Sequence, residues 1–391
     1  MGWRARVTSG EEFSKISDLQ ASIALTADMR WGDNSGVEQM RPDQWYSFKK
    51  AAKRAETRTP PLALIVDSPW IPGFLGISHL DYFLDPEVWF QANLRIQRQF
   101  PDVIFFPSWW AEYGMAIEPS AIGARISFAD DRTPSVRAML FHLEDVERLA
   151  PVDPYADGLM PLALHRYRTQ KQRIFDAGFT LPLVTARGPL CTAAFVYDLT
   201  RLLVDMKQDP AGVHRLLAHV NESIIQWLKA QAEVIGPSVE GIFLLDDIVG
   251  FISRDLYLEF AHPYLKQICD AFPKDWVKVY HNDASVKQLL EDLPDTGFDV
   301  LNFTHKIDPL EVAQRTGGRM CLMGNVAPLE LGVRGTPGQV REAALAVLRK
   351  AGGRNLILSV GGGVSPGMPA ENIEALVIAV REFEGSLVSH E

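Results

Sequence analysis

Trp276-Val277-Lys278-Val279-Tyr280-His281-Asn282-Asp283 is a short apolar run that stops on three polar residues. It reads as a buried strand whose end presents His281 and Asp283, side chains able to hold a proton or a metal ion. In an α/β barrel such strand ends carry the chemistry. By itself the stretch reads equally well as a strand-end histidine and an aspartate capping the next helix.

The pattern recurs on both sides. Towards the C-terminus, residues 299–303 end in Thr304-His305, residues 320–323 in Gly324-Asn325, and residues 355–359 run into Gly361-Gly362-Gly363. Towards the N-terminus, residues 241–245 end in Asp246-Asp247 and residues 181–185 lead to Arg187-Gly188-Pro189. Before those, residues 103–106 end in Pro107-Ser108-Trp109-Trp110 and residues 62–66 in Asp67-Ser68-Pro69-Trp70. Helical patterns separate the runs, several opened by a capping residue and a proline, as in Asp85-Pro86, Asp209-Pro210 and Thr336-Pro337. Residues 257–271 and 285–293 each read as one helix, two helices follow Arg187, and residues 125–128 suit a side hairpin. Eight strands, each followed by a helix, imply a closed (β/α)8 barrel of the TIM type. The barrel is expected over residues 59–391, behind a helical extension over residues 1–58 that includes an amphipathic helix with Trp45 and Phe48 on one side. An open doubly wound sheet would call for a glycine-rich turn after the first strand, where Asp67-Ser68-Pro69 stands.

The chain has 391 residues and a net charge of −10, which argues against nucleic acid or an anionic membrane as partner. Cys191, Cys269 and Cys321 are widely spaced and form no CxxC pair, as expected in a reducing compartment. No apolar run approaches the length of a membrane span and the first residues show no signal core, so a cytoplasmic protein is expected.

Reading the strand ends in order, tryptophans gather on the first two strands and carboxylates and imidazoles on the fourth to sixth. That describes an aromatic-walled pocket facing an acid/base or metal patch. The candidates for acid/base work are His281, Asp246 and Asp247; one aspartate of the pair is expected to cap the helix that follows it. The candidates for substrate contact are Trp70, Trp109, Trp110, Tyr113, Arg187 and Asn325. His305 reads as a loop hydrogen-bonder. No GxSxG elbow, Walker A loop or HExxH is present, which leaves little for hydrolase or nucleotide chemistry.

Gly324-Asn325-Val326-Ala327-Pro328, Gly335-Thr336-Pro337, and Gly361-Gly362-Gly363-Val364-Ser365-Pro366 are joined by Leu245-Asp246-Asp247, residues 260–264 and Gly188-Pro189-Leu190-Cys191-Thr192. Together, from about residue 60 to 383, these stretches resemble the uroporphyrinogen decarboxylase superfamily. The resemblance implies a distorted (β/α)8 barrel. The true decarboxylases carry an arginine-rich N-terminal motif, to which Met29-Arg30-Trp31-Gly32 is the nearest approach. Their catalytic aspartate follows the second strand, where this chain has Phe106-Pro107-Ser108, and their late histidine falls on Gly362. These departures point away from tetrapyrrole decarboxylation.

The other branch consists of corrinoid-dependent methyltransferases, whose zinc enzymes hold the metal with an HxC pair after the fifth strand and a later cysteine. Here those positions are His281, Asp283 and Gly362. The resemblance therefore implies a divalent metal, zinc or another, on His281 and Asp283, with oxygen in place of thiolate. Residues 67–73 and 110–115 are similar to the substrate-side methyltransferases of demethylase systems. What this implies is transfer of a methyl group from a small aromatic methyl donor, an aryl methyl ether, to the Co(I) of cobalamin on a separate corrinoid-binding protein. The family also suggests a homodimer. The alternatives are a divergent decarboxylase using Arg187, and a non-catalytic accessory protein that binds a corrinoid or tetrapyrrole.

Overall fold

The computed structural model describes residues 42–388, apart from residues 56, 58 and 67. Most of the extension expected over residues 1–58 thus lies outside the described residues, as do Met29-Arg30-Trp31-Gly32 and Asp67. The described strands are β1 (Ala63–Ile65), β2 (Ile104–Phe106), β3 (Arg125–Ser127), β4 (Ser135–Arg137), β5 (Leu183–Arg187), β6 (Gly241–Leu245), β7 (Val277–Asn282), β8 (Val300–Phe303), β9 (Cys321–Val326) and β10 (Leu356–Val360). All eight expected barrel strands are present and buried along their whole length, as apolar runs covered on both faces should be. β3 and β4 form the expected antiparallel side hairpin.

β5 to β10 pair in sequence order as one parallel sheet, and β1 pairs with β2. Single bridges, Leu62 to Leu358 and Ile65 to Gly363, join β1 to β10. No ladder runs between β2 and β5 among the described residues, so the TIM-type barrel has a seam where full closure was expected. The cause is local: Pro107 has no N–H to donate, and Ser108 and Trp109, at φ 72° and 49°, turn the chain out of the sheet. Side chains fill the seam, Phe106 packing edge-on against Phe243 of β6 at 4.8 Å.

Helix Pro42–Ala52 closes the N-terminal end of the barrel. Its Phe48 ring stacks on Phe106 at 5.0 Å, and the Trp45 indole donates to Glu240, just ahead of β6. Lys53 reaches Trp276 O and Asp299 Oδ2, both at 2.8 Å, ahead of β7 and β8. With that end plugged, the C-terminal strand ends are the ones left for chemistry.

Three helical expectations change. Residues 257–271 form two helices, Arg254–Phe260 and His262–Asp270, because Pro263 suits a first turn and not a helix interior. The helix expected over 285–293 is replaced by the 3-10 turns Lys287–Leu289 and Leu293–Thr296, the second with Pro294 in its first turn and capped by Gly297, left-handed at φ 98°. After β5 there are three helices, Pro189–Tyr197, Leu199–Gln208 and Pro210–Ile235, since Asp198 at φ 89° breaks the first from the second. The three cysteines are free and buried, and no helix among the described residues is long and apolar enough to cross a membrane.

Candidate active site

His281 lies in β7 at the C-terminal end of the barrel, opposite Leu245 of β6 and Asn302 of β8. It is 4 % exposed. Its Nδ1 is 2.7 Å from Asn302 Oδ1, while its Nε2 points at two carboxylates, Asp247 Oδ1 at 3.6 Å and Asp283 Oδ1 at 3.5 Å. Asp247 opens the 3-10 turn Asp247–Phe251, and its Oδ1 accepts the backbone N–H of Asp283 at 2.7 Å. One ligand atom from each of Asp247, His281 and Asp283 lies within 4.8 Å of the others. The pKa of Asp283 is raised, by loss of solvent first and by Asp247 as well, while the charges of His281, Arg187 and His305 oppose the rise. A cation among these groups would favour the charged carboxylate.

Gly362 stands against this cluster. A Cβ built on it would meet Asp283 Oδ1 at 2.0 Å, and its φ of +122° is one that L side chains rarely adopt. The position where the sequence resemblance puts a late ligand is thus a space filled by the Asp283 carboxylate. The residues present fit a divalent ion: one imidazole nitrogen and two carboxylate oxygens converge, and the imidazole's other nitrogen is tied to a neighbour, the usual arrangement of a metal-binding histidine.

Two strands along from His281, in register with it through Leu245, the Arg187 guanidinium lies over the Trp110 ring at 5.1 Å. Trp110 meets the edge of Phe243 at 6.4 Å, and Phe243 meets the His281 ring at 6.2 Å. A continuous wall therefore runs from Trp110 and Arg187 to His281. Behind Arg187, the buried Glu118 accepts its backbone N–H through Oε1 at 2.9 Å. His305 sits beyond Asp283, its Nε2 3.7 Å from Glu330 Oε2, and its backbone lies so close to Gly361 that a Cβ there would come within 2.4 Å of His305 N.

Four of the residues expected in the site make packing or backbone contacts of their own. Trp109 packs among Trp89, Phe90 and Phe179, with ring centroids 5.1–5.8 Å apart, because its left-handed φ sends it outwards while Trp110 turns inwards. Trp70 is fully buried; it stacks on Phe74 at 4.4 Å and its indole donates to Met368 O. Tyr113 stacks on Phe83 at 5.7 Å beneath Phe128, next to the side hairpin. Asn325 uses its Nδ2 to hold Ile307 O at 2.8 Å, bracing the loop after β8.

Asp246 also takes a different part. It is fully buried, and its two oxygens accept the N–H groups of Leu190 and Cys191 at 3.0 and 2.8 Å. It therefore caps the helix after β5, not the one after its own strand, and the backbone of Gly188 passes too close for any side chain there. Alternation along the chain sends Asp247 to the opposite side, towards His281. Burial pushes the Asp246 carboxyl up to about 8, with Asp247 adding to the rise and the two N–H groups opposing it. A folded-state pKa above the usual 3.8 means that stability is greatest below pH 3.8 on this account and is lost as pH rises through about 8. Asp246→Asn should therefore flatten the stability profile in that window, removing a slope of up to about 1.4 kcal/mol per pH unit. Urea unfolding at a series of pH values tests this; parallel profiles for the two proteins would contradict it.

Comparison with known proteins agrees with this architecture. The family model for uroporphyrinogen decarboxylase (URO-D) matches residues 48–383. The chain belongs to the uroporphyrinogen decarboxylase family. It is 27% identical over 326 residues to a uroporphyrinogen decarboxylase of Thermus thermophilus, covering 76% of this chain and 94% of that protein. It is also 27% identical over 277 residues to that of Methylococcus capsulatus, covering 68% and 76%. Among solved structures, a methyltransferase from Methanosarcina mazei shares the fold, with a TM-score of 0.75, 20% identity, and coverage of 88% of this chain and 99% of the other.

Two residues of this family member escaped the sequence reading. Asn302 is fully buried within β8, and Glu118 is 4 % exposed on helix Ile117–Ile122. Asn302 had a signal, a polar residue within the apolar run Val300-Leu301-Asn302-Phe303, because such a group must find a partner inside the protein. Glu118 had none, since nothing in its neighbourhood marks it as inward-facing.

Proposed function

We propose that this chain is a methyltransferase that passes a methyl group from a small aryl methyl ether to the corrinoid of a partner protein. The observation that carries the reading is the convergence of Asp247, His281 and Asp283 at the barrel mouth, beside the wall of Trp110 and Arg187. Methyl transfer from an ether leaves a phenolate, and the charge on that oxygen is what an enzyme must stabilise. A divalent ion held by Asp247, His281 and Asp283 would act there as a Lewis acid. Trp110 offers an aromatic face for the donor ring, and Arg187 a positive charge for an acidic substituent. The nucleophile belongs to the partner's cofactor, so the mouth must admit a second protein transiently. A methyltransferase from Methanosarcina mazei shares this fold, so the fold accommodates methyl transfer as well as the decarboxylation of the sequence relatives.

Incubation with a panel of aryl methyl ethers and free Co(I) corrinoid should give methylated corrinoid; its absence across the panel would refute the proposal. Decarboxylation of an acid is the second reading, favoured by the Arg187 charge at the mouth, and carbon dioxide release from uroporphyrinogen would establish it. The two tryptophans separate pocket from core. Trp110→Ala should raise the KM for an aryl donor about tenfold, the worth of one aromatic contact. Trp109→Ala should instead lower stability by about 3–5 kcal/mol with little effect on KM. Steady-state kinetics and urea unfolding on both variants read the difference; equal KM changes would remove Trp110 from the pocket.

A further inference from the structure

Asn302 has no solvent exposure, and its amide is committed on both sides. Its Nδ2 donates to Met323 O at 2.9 Å and Val360 O at 3.4 Å, carbonyls of β9 and β10. Carbonyl oxygens only accept, so the amide nitrogen must face them and Oδ1 must face His281. Oδ1 lies 2.7 Å from His281 Nδ1, and a hydrogen bond to that oxygen requires the ring proton on Nδ1. A neutral ring protonated at Nδ1 has its lone pair on Nε2. Nε2 makes no hydrogen bond among the described residues and faces Asp247 Oδ1 and Asp283 Oδ1 at 3.6 and 3.5 Å. A lone pair aimed at two carboxylates is repulsive until a cation sits between them.

We propose that Asn302 is the positioning residue of this site. It locks His281 as the Nδ1–H tautomer and so makes Nε2, the nitrogen that faces Asp247 and Asp283, the ligand atom. An amide does this without adding charge. An aspartate at 302 would also accept from Nδ1 but would set a third carboxylate near the site and face two carbonyls. The anchoring to two neighbouring strands leaves the amide no rotation by which the ring could reverse its tautomer. The inference rests on the metal-binding part of the function proposed above and is independent of which methyl donor, if any, the protein uses.

The test uses the full chain freed of metal. Mn2+ and Zn2+ are titrated calorimetrically into wild type, Asn302→Leu and Asn302→Asp, and long-range 1H–15N spectra at alkaline pH assign the His281 tautomer in each. Wild type should show Nδ1–H and bind a divalent ion. Asn302→Leu, close in size but without an acceptor, should show Nε2–H and bind both ions about 10–100-fold more weakly. Asn302→Asp should keep Nδ1–H and bind closer to wild type than the leucine variant does. A wild-type ring protonated at Nε2 would overturn the proposal without recourse to any variant. So would a wild type that binds neither ion, or undiminished binding by a folded Asn302→Leu. If the tautomer and binding order hold while no methyl transfer occurs, the functional reading falls and this inference stands.

Discussion

On the proposed function, His281→Gln should lose divalent metal and reduce methyl transfer by about 10³-fold, because several kcal/mol of leaving-group stabilisation would depend on the cation. His281 supplies the one nitrogen of the cluster, and without it the two carboxylates are left with no neutral donor between them. Glutamine is close enough in size to keep the packing around a side chain that is 4 % exposed. Metal content by atomic emission, circular dichroism and single-turnover rates read the three consequences separately. Wild-type metal content and rate in the variant would exclude His281 from the chemistry. A fall in rate in a protein that never bound metal would instead make His281 the proton donor to the departing phenolate.

Gly362→Ala should damage the same site from the opposite side. The new Cβ would lie 2.0 Å from Asp283 Oδ1 at a φ of +122°, so the carboxylate must move and the backbone must relax. Strain of this kind costs about 1–3 kcal/mol of stability, and displacement of a ligand should weaken metal binding by about 100-fold or more. Asp283→Ala provides the control. Once the carboxylate is gone the added methyl group meets no obstacle there, so the double variant should bind metal no more weakly than Asp283→Ala alone. Calorimetric titration of the two single variants and the double completes the cycle. Additive losses would mean that Gly362 acts through the backbone turn and not through Asp283.

The architecture was largely legible because it rests on local rules. Strands such as Gly241–Leu245 are apolar throughout, capping pairs such as Asp209-Pro210 fix where helices begin, and both features survive whatever the rest of the chain does. The reading failed where one residue changes the course of the backbone. Pro107 with Ser108 and Trp109 opened a seam in an expected closed barrel, and Asp198 divided one helix from the next. The same limit explains the site. Asp246 and Asp247 are neighbours of identical chemistry, and only the packing of helix Pro189–Tyr197 gives one to structure and leaves the other beside His281. Trp109 and Trp110 divide in the same way between core and mouth.

By itself the sequence determined the barrel and singled out His281 and Asp283, because apolar periodicity and strand-end polarity are properties of consecutive residues. Only the tertiary structure decided that Asp247 completes the cluster, that Asp283 fills the space left at Gly362, and that Asn302 holds the ring. These are contacts between different strands, and the direction of a carboxylate or an amide is set by hydrogen-bond partners that lie far away along the chain.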